Sequence, residues 1–196
     1  VQTYFEHANP DLSWFDARQA LPLLPPGESA TYLLAASSPL TGPAGDWLDR
    51  EGVETGRIGA PDGAPGLIVL RLKRADGATL VRPNQEPPVR FTSNLRLSGA
   101  EINRDVQGKT RLLLLWETGG PEPDGWPAYS LEVRATVGES EWVSFPFEGF
   151  RPPEWVANGA FVSWHDLEGM MGATTSRLRV RLIDHRNQNP VAGPDS

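Results

Sequence analysis

Histidines are the side chains best suited to acid–base or metal chemistry in this sequence, which has only three: His7, His165 and His185. His165 is followed by Asp166, but no recognisable motif supplies further ligands or a nucleophile to this pair. A metal site or a Ser-His triad needs several such groups, placed by separate elements. The sequence also lacks the nucleophile-elbow, phosphate-loop, dinucleotide and zinc-helix motifs. We therefore predict structural or surface histidines, no catalytic residue, no metal ion and no cofactor.

Carboxylates are the second group that could do chemistry. They gather in two places, namely Asp46, Asp49, Glu51 and Glu54, and further along the chain Glu139 and Glu141. A glycosidase needs two carboxyl groups facing each other across a cleft, and spacing along the chain does not indicate that arrangement. Because Asp and Glu are normally exposed, we interpret both groups as solvated surface.

Seven tryptophans are the most informative aromatic residues. Trp116, Trp142 and Trp164 lie in or at the ends of predicted strands, so we expect them in the core. Trp126 lies in a proline-rich loop and Trp155 follows two prolines. Loops carry binding residues more often than core strands do, and exposed aromatic rings stack on sugars. Trp126 and Trp155 are therefore the predicted ligand-binding residues.

Composition excludes several classes of function. The chain of 196 residues is 39% hydrophobic, enough for a substantial core. Its formal charge of −7 argues against a nucleic-acid partner, which requires clustered Lys and Arg. The absence of cysteine excludes disulfides and thiol chemistry. No apolar run approaches the roughly 20 residues of a membrane span, and because the sequence begins at Val1 we interpret it as a piece of a longer protein.

The most hydrophobic stretch of the chain is the run of four leucines and a tryptophan over 112–116. Polar turn residues precede the run and Gly119-Gly120-Pro121 follows it, so the pattern predicts a short strand buried on both faces. Such a strand belongs in the middle of a sheet that is covered on each side. We expect the N-terminal part of the chain to cover one of those sides.

Residues 87–196 contain about seven short segments that read as strands, separated by turn residues. In the last segment Leu178, Val180 and Leu182 alternate with arginines, which predicts one buried and one solvated face. A predicted helical turn over 165–172 is the exception. This half of the chain is therefore predicted to be an antiparallel β-sandwich, either a jelly roll or immunoglobulin-like.

Residues 1–86 are predicted to form a small α/β lobe and a linker. The predicted elements are a short helix over 15–20, a strand at 31–35, a helix at 43–51, a loop at 55–66 and a strand at 67–72. Pro43 near the start of the second helix and Gly52 after its end are the expected boundaries of a helix. Overall, the prediction is a mainly β protein with two domains, 1–86 and 87–196.

The segment Asp11-Leu12-Ser13-Trp14-Phe15-Asp16-Ala17-Arg18-Gln19-Ala20-Leu21, followed by Ala30-Thr31-Tyr32-Leu33-Leu34, resembles a region of bacterial membrane glycosyltransferases. These enzymes are related to dolichyl-phosphate-mannose–protein mannosyltransferases, and the similar region follows their last membrane span. The resemblance implies a soluble C-terminal domain on the extracytoplasmic face of the membrane, in an enzyme that uses a polyprenyl-phosphate sugar donor. The catalytic acidic residues of that family lie in the membrane part, and no residue here matches them.

Three functional hypotheses follow. The first is a non-catalytic accessory domain that positions an acceptor or glycan, with the membrane-embedded portion of the same polypeptide as its partner and a glycan as its ligand. The second is a free-standing carbohydrate-binding module with a tryptophan platform. The third is a structural domain that docks to a protein partner, which a large exposed apolar patch would favour.

Overall fold

The computed structural model describes most of the chain between Phe15 and Val191. The described residues are 15–16, 18–23, 29–36, 42–51, 53–59, 63, 66–73, 80–104, 109–121, 129–135, 141–147, 149, 152, 155–167 and 178–191. Over these ranges the fold is mainly β, with twelve strands in three antiparallel sheets and a single helix. The predicted mainly β class with antiparallel sheets is confirmed.

A five-stranded sheet forms the middle of the molecule. Its strands, in spatial order, are β1 (Ala20–Leu23), β10 (Ala157–Asp166), β7 (Thr110–Gly119), β6 (Leu95–Arg104) and β5 (Val89–Arg90). The leucine run is the central strand, as predicted. β7 continues to Gly119, three residues beyond the run over 112–116, because Glu117 and Thr118 still pair with β6.

β7 faces two different cores. Leu112, Leu114 and Trp116 are buried in the core of the sandwich. Leu113 and Leu115 point to the opposite face and pack with the N-terminal part of the chain. Successive side chains of a strand point to opposite faces, so a strand covered on both sides has no polar positions in its middle.

A four-stranded sheet closes the sandwich on the first of these faces. Its strands, in spatial order, are β12 (Asn189–Pro190), β11 (Leu178–Asp184), β8 (Tyr129–Ala135) and β9 (Val143–Pro146). Leu131, Val133 and Leu182 are fully buried against the first sheet, and Leu178 and Val180 pack at the edge of the same core. The alternation predicted for β11 is confirmed.

A three-stranded sheet and the helix cover the second face. The strands β2 (Ser29–Ala35), β4 (Leu67–Lys73) and β3 (Val53–Ile58) are antiparallel, and the helix α1 spans Pro43–Glu51. Tyr32, Leu34, Trp47 and Leu48 from these elements are buried against the five-stranded sheet. The predicted covering of the leucine strand by the N-terminal residues is therefore confirmed. The described residues of this region contain one helix and antiparallel strands, so the predicted α/β lobe is not confirmed.

Three local predictions differ from the structure. At 15–20 the Ala20 N–H donates to Asp16 O, as in one helical turn, but Ala20 already belongs to β1, which pairs antiparallel with residues 160–163 of β10. Pro22 is tolerated there because β1 is an edge strand and Pro lacks a backbone N–H. The predicted loop at 55–66 contains most of β3. Of the predicted helical turn at 165–172, His165 and Asp166 belong to β10, and 168–172 lie outside the described residues. β1 also places residues of the 1–86 range in the central sheet, and the split at residue 86 stays a prediction.

The helix α1 has nine residues. In the described part of the chain no helix combines the length and the apolar character that crossing a bilayer requires.

Candidate functional site

A cleft of about 290 Å³ opens where the end of β10 and the start of β7 meet the segment before β1. Its walls are Arg18, Gln19, Gly42, Arg111, Phe145, Pro146, Trp164, His165 and Asp166. The cleft lies at the lower end of the roughly 300–1,000 Å³ that is typical of small-molecule sites. Its size therefore suits a single small group, such as one sugar ring.

Two ion pairs place arginines at the cleft. Arg111 and Asp166 are direct neighbours across β7 and β10, and the Arg111 Nε–H donates to Asp166 Oδ1 over 2.7 Å. Arg18 donates from Nε and Nη2 to the two carboxylate oxygens of Asp16 over 2.9 and 2.7 Å, and these bonds hold the pKa of Asp16 below its usual value. Pairs this exposed contribute little to stability, so their main effect is to orient the guanidinium groups.

Gly42 allows the Arg111 side chain to occupy its position. Its φ of +77° lies in the left-handed region that glycine favours, and a Cβ on it would lie 3.3 Å from Arg111 Nη1. A larger residue here would be strained and would press on the guanidinium.

Gln19 lines the cleft and also a cavity of about 10 Å³ behind it, and its side chain contains a buried acceptor. Its backbone is fixed by two hydrogen bonds, from its N–H to Asp16 O and from the Trp164 N–H to Gln19 O. Its side-chain Oε1 is buried and accepts no hydrogen bond from any described residue. A buried acceptor without a donor costs about 1–3 kcal/mol. The site therefore favours a ligand that brings a hydroxyl or amine to Gln19.

The apolar part of the cleft is aromatic. Trp164 is 7% exposed. It forms part of the cleft wall and also packs in the core beneath the three-stranded sheet. Phe145, from β9, lies against the His165 ring with 5.3 Å between centroids. The cleft thus combines aromatic surface with amide, carboxylate and guanidinium groups.

Ser163 and His165 form a buried polar chain behind the cleft. They lie two residues apart on β10, so both point into the sandwich. The Trp116 Nε1–H donates to Ser163 Oγ over 2.9 Å, and Ser163 Oγ lies 3.1 Å from His165 Nε2. After accepting from Trp116, the Ser163 hydroxyl still has its proton and a second acceptor position, so it pairs with His165 Nε2 in either imidazole tautomer.

This pair has the spacing of a nucleophile and base but not the surroundings. Ser163 and His165 are 3% and 6% exposed, and the cavity that adjoins them has a volume of about 10 Å³, room for about one water. The nearest carboxylate in sequence, Asp166, points to the other face of β10 and is bound by Arg111. Burial lowers the pKa of His165 to about 3, against a smaller opposing effect of Asp166. The pair therefore serves as a satisfied polar bridge within the core.

Trp155, one of the two predicted ligand-binding tryptophans, does not line this cleft. Trp155 is 1% exposed and its ring stacks with Phe161, so its predicted exposure is wrong. The cause is local: the Trp155 N–H bonds back to Pro152 O over 3.2 Å, and the ring lies in the sandwich core. Trp126 lies outside the described residues.

The three strand tryptophans divide differently from the prediction. Trp116 and Trp164 are buried, as expected. Trp142, predicted to be in the core, is half-buried on the outer face of the four-stranded sheet, where two arginines pack on it. It immediately precedes the short edge strand β9, and this position explains why the burial expected from its strand context is incomplete.

Sequence reasoning missed the residues of the cleft. The alternation along β10 places Trp164 and Asp166 on one face and Ser163 and His165 on the other, and that signal was present in the sequence. The sequence contained no signal for Gln19 and Arg18, because their place in the cleft depends on the pairing of β1 with β10. Among the described residues, no three His, Asp or Glu side chains gather as a metal ion would require.

Comparison with protein-family models, with curated proteins and with solved structures finds no match to this chain.

Proposed function

We propose that this chain is a non-catalytic accessory domain of a membrane glycosyltransferase, and that it binds a sugar unit of an acceptor or glycan in the cleft beside β10. The observation that supports sugar binding is the buried Gln19 Oε1, which has no donor among the described residues and lies at a cleft with aromatic walls. Sugars present hydroxyl donors around the ring and apolar C–H groups on its faces, so they complement both features.

The chemistry of binding follows from the walls. In this proposal the Gln19 side chain turns toward the bound ligand, and its Oε1, buried in the free protein, accepts a hydrogen bond from a ligand hydroxyl. The Asp166 carboxylate is 46% exposed, so it accepts a second one while Arg111 keeps it oriented. Trp164 and Phe145 supply the apolar contact. Charge-assisted bonds of this kind are stronger than neutral ones.

The link to a membrane enzyme is supported by the resemblance of the segments 11–21 and 30–34. In this proposal the domain lies on the extracytoplasmic face of the membrane, next to the membrane-embedded portion of its own polypeptide. The coding sequence upstream of Val1 tests the link directly. We expect several hydrophobic spans there, and an upstream sequence without them would overturn it.

Sugar binding is tested with the 196-residue chain on a glycan array, followed by calorimetry of the hits. We expect Asp166→Asn and Gln19→Leu each to weaken binding at least tenfold, because each removes an acceptor for a ligand hydroxyl. Asp49→Asn, which changes an exposed carboxylate on α1, is the matched control and should leave binding unchanged.

Two results would reject the cleft. The absence of any hit across the array would remove sugar binding altogether. Binding that is lost in Trp126→Ala but kept in both cleft variants would move the site to the tryptophan platform predicted from the sequence.

A second candidate, a protein-docking domain, is favoured by the outer face of the three-stranded sheet. Leu33 and Ile58 are 46% and 53% exposed there, next to the half-buried Val69 and Leu67 that pair with them. If this face docks to the membrane portion, Ile58→Asp should abolish co-purification of the two parts. The control is Ile102→Asp, which changes an isoleucine of similar exposure on β6. Equal retention of both variants would rule the face out.

A further inference from the structure

The outer face of the four-stranded sheet carries an unusual group of charges. Arg179 on β11 lies directly opposite Arg134 on β8, and the next pair along the same strands is Arg181 with Glu132. Trp142, just before β9, lies against this face. All of these side chains are exposed or half-buried, on the face opposite the sandwich core.

Trp142 and Glu132 fix two of the three arginines. The Cζ atoms of Arg134 and Arg181 lie over the Trp142 ring, 4.6 and 4.1 Å from its centroid. Arg181 also binds Glu132, with 2.6 Å between Nη2 and Oε2. Cation–π contacts of this type contribute about 0.5–1 kcal/mol at exposed sites, and they reduce the freedom of the guanidinium groups before any ligand arrives.

The charges on this face are not balanced. Glu132 is engaged by Arg181, and neither Arg134 nor Arg179 has a carboxylate partner within the described part of the chain. Like charges directly opposite each other on neighbouring strands are destabilising. An anion between these two guanidinium groups would remove that repulsion.

A second opposed arginine pair shows the usual solution. Arg90 and Arg96 are cross-strand partners on β5 and β6, and Glu117 on β7 is the next residue in the same row. A carboxylate thus stands beside that pair, whereas an aromatic ring stands beside Arg134 and Arg179. The two pairs differ in the group that accompanies them. The Arg90–Arg96 pair is therefore a matched control for the Arg134–Arg179 pair.

We propose that Arg134 and Arg179, with Trp142 orienting Arg134, form a binding site for a phosphate monoester group. Each guanidinium fork can bind two oxygens. A phosphate monoester offers three terminal oxygens and a charge of about −1.5 to −2, enough for both forks, whereas a carboxylate offers two oxygens and one charge. The net charge of −7 opposes long-range attraction of a polyanion, so this local site suits one phosphate group.

This site goes beyond the proposed function. It lies on the outer face of the four-stranded sheet, shares no residue with the cleft and binds a different chemical group. The phosphate can belong to a soluble sugar phosphate or to a lipid headgroup. We propose the soluble source, because the exposed apolar residue next to Trp142, Val143, pairs with the buried Val133 and so belongs to the row of the sheet that faces away from the arginines.

The test is a titration of the 196-residue chain with inorganic phosphate and with glucose 6-phosphate, at constant ionic strength, followed by amide NMR shifts. We expect saturable shifts in β8, β11 and the residues around Trp142. Arg179→Ala should weaken binding at least tenfold, and Arg179→Lys should restore only part of it, since an ammonium lacks the fork. Both substitutions are at an exposed position, so the fold should survive them.

Arg90→Ala is the control, because it removes an equally exposed arginine from the other opposed pair. Shifts that fail to saturate, or that weaken equally in Arg90→Ala and Arg179→Ala, would overturn the proposal. Co-sedimentation with phosphatidic acid vesicles, without any response to the soluble phosphates, would also overturn it in favour of a lipid surface. Asp166→Asn should leave the phosphate titration unchanged, so failure of the cleft and failure of this site are separable.

Discussion

The two faces of β7 bury similar amounts of leucine but build different cores. On the sandwich side, Trp116 contacts Phe91, Phe147 and Phe161 with ring centroids 5.2 to 6.2 Å apart. That core also contains the hydrogen-bonded Ser163 and His165. On the other side, Leu113 and Leu115 belong to a core in which eight of the eleven buried residues that the structure describes are leucine or valine, and Tyr32, Trp47 and Trp164 are its aromatic members.

The difference shows what each core specifies. Aromatic pairs and buried hydrogen bonds depend on geometry, so the sandwich core fixes how its two sheets align. An aliphatic core depends mainly on the area removed from water and accepts more rearrangement. The polar cleft lies at the margin of both cores, where Trp164 belongs to one and His165 to the other.

The largest effect is expected from Trp116→Ala. Trp116 is fully buried, contacts three aromatic rings and donates to Ser163, so its loss should lower the free energy of unfolding by about 3–5 kcal/mol. Trp142→Ala is the comparison, because Trp142 is half-buried and its main described contacts are with two arginines. We expect a loss of about 1 kcal/mol there. Urea denaturation measures the free energy of unfolding of both variants. Similar decreases in the two variants would contradict the assignment of Trp116 as the centre of the core.

The outcome for these tryptophans shows how far a sequence can be interpreted. The leucine run predicted a strand covered on both faces, because no polar residue interrupts 112–116. In β11 the alternation of arginines with apolar residues predicted that one face of the strand is exposed to solvent. Both signals are local. The position of Trp142 depends on β9 being an edge strand, and the burial of Trp155 depends on the hydrogen bond to Pro152.

The cleft could not have been predicted in the same way. Arg111 and Asp166 are 55 residues apart in sequence, and their contact follows from the pairing of β7 with β10. Gln19 reaches the site because β1 pairs with the free edge of β10, where sequence reasoning predicted the end of a helix. Long-range strand pairing is a property of the whole fold and leaves no mark on three or four neighbouring residues.

Leu113→Ala and Leu114→Ala compare the two cores at adjacent positions of one strand. Leu113 is 2% exposed and Leu114 is fully buried, so each substitution should cost about 2–5 kcal/mol. Amide hydrogen exchange should distinguish them. We expect Leu113→Ala to raise exchange most in β2 and β4, and Leu114→Ala to raise it most in β8 and β11. The same pattern of exchange in both variants would show that the two cores open as one unit.

The smallest expected effect is the pH dependence contributed by His165. In the folded chain burial keeps the imidazole neutral down to about pH 3, whereas in the unfolded chain it is protonated below its ordinary pKa of 6.5. Between these values the unfolded state binds the extra proton. The free energy of unfolding therefore falls as the pH falls, by about 1.4 kcal/mol per pH unit well below 6.5, and is fully recovered above it.

His165→Gln isolates this contribution, because glutamine is neutral at every pH and its carbonyl can still accept a hydrogen bond from Ser163. The comparison is best made between pH 6.5 and about pH 4.5, above the range in which Asp16 and Asp184 lose the stabilisation that Arg18 and Arg186 give their carboxylates. Over that interval the wild-type chain should lose about 2 kcal/mol more than the variant. Equal losses would mean that His165 is protonated in the folded state, and that the sandwich core admits a charge at the margin where it meets the cleft.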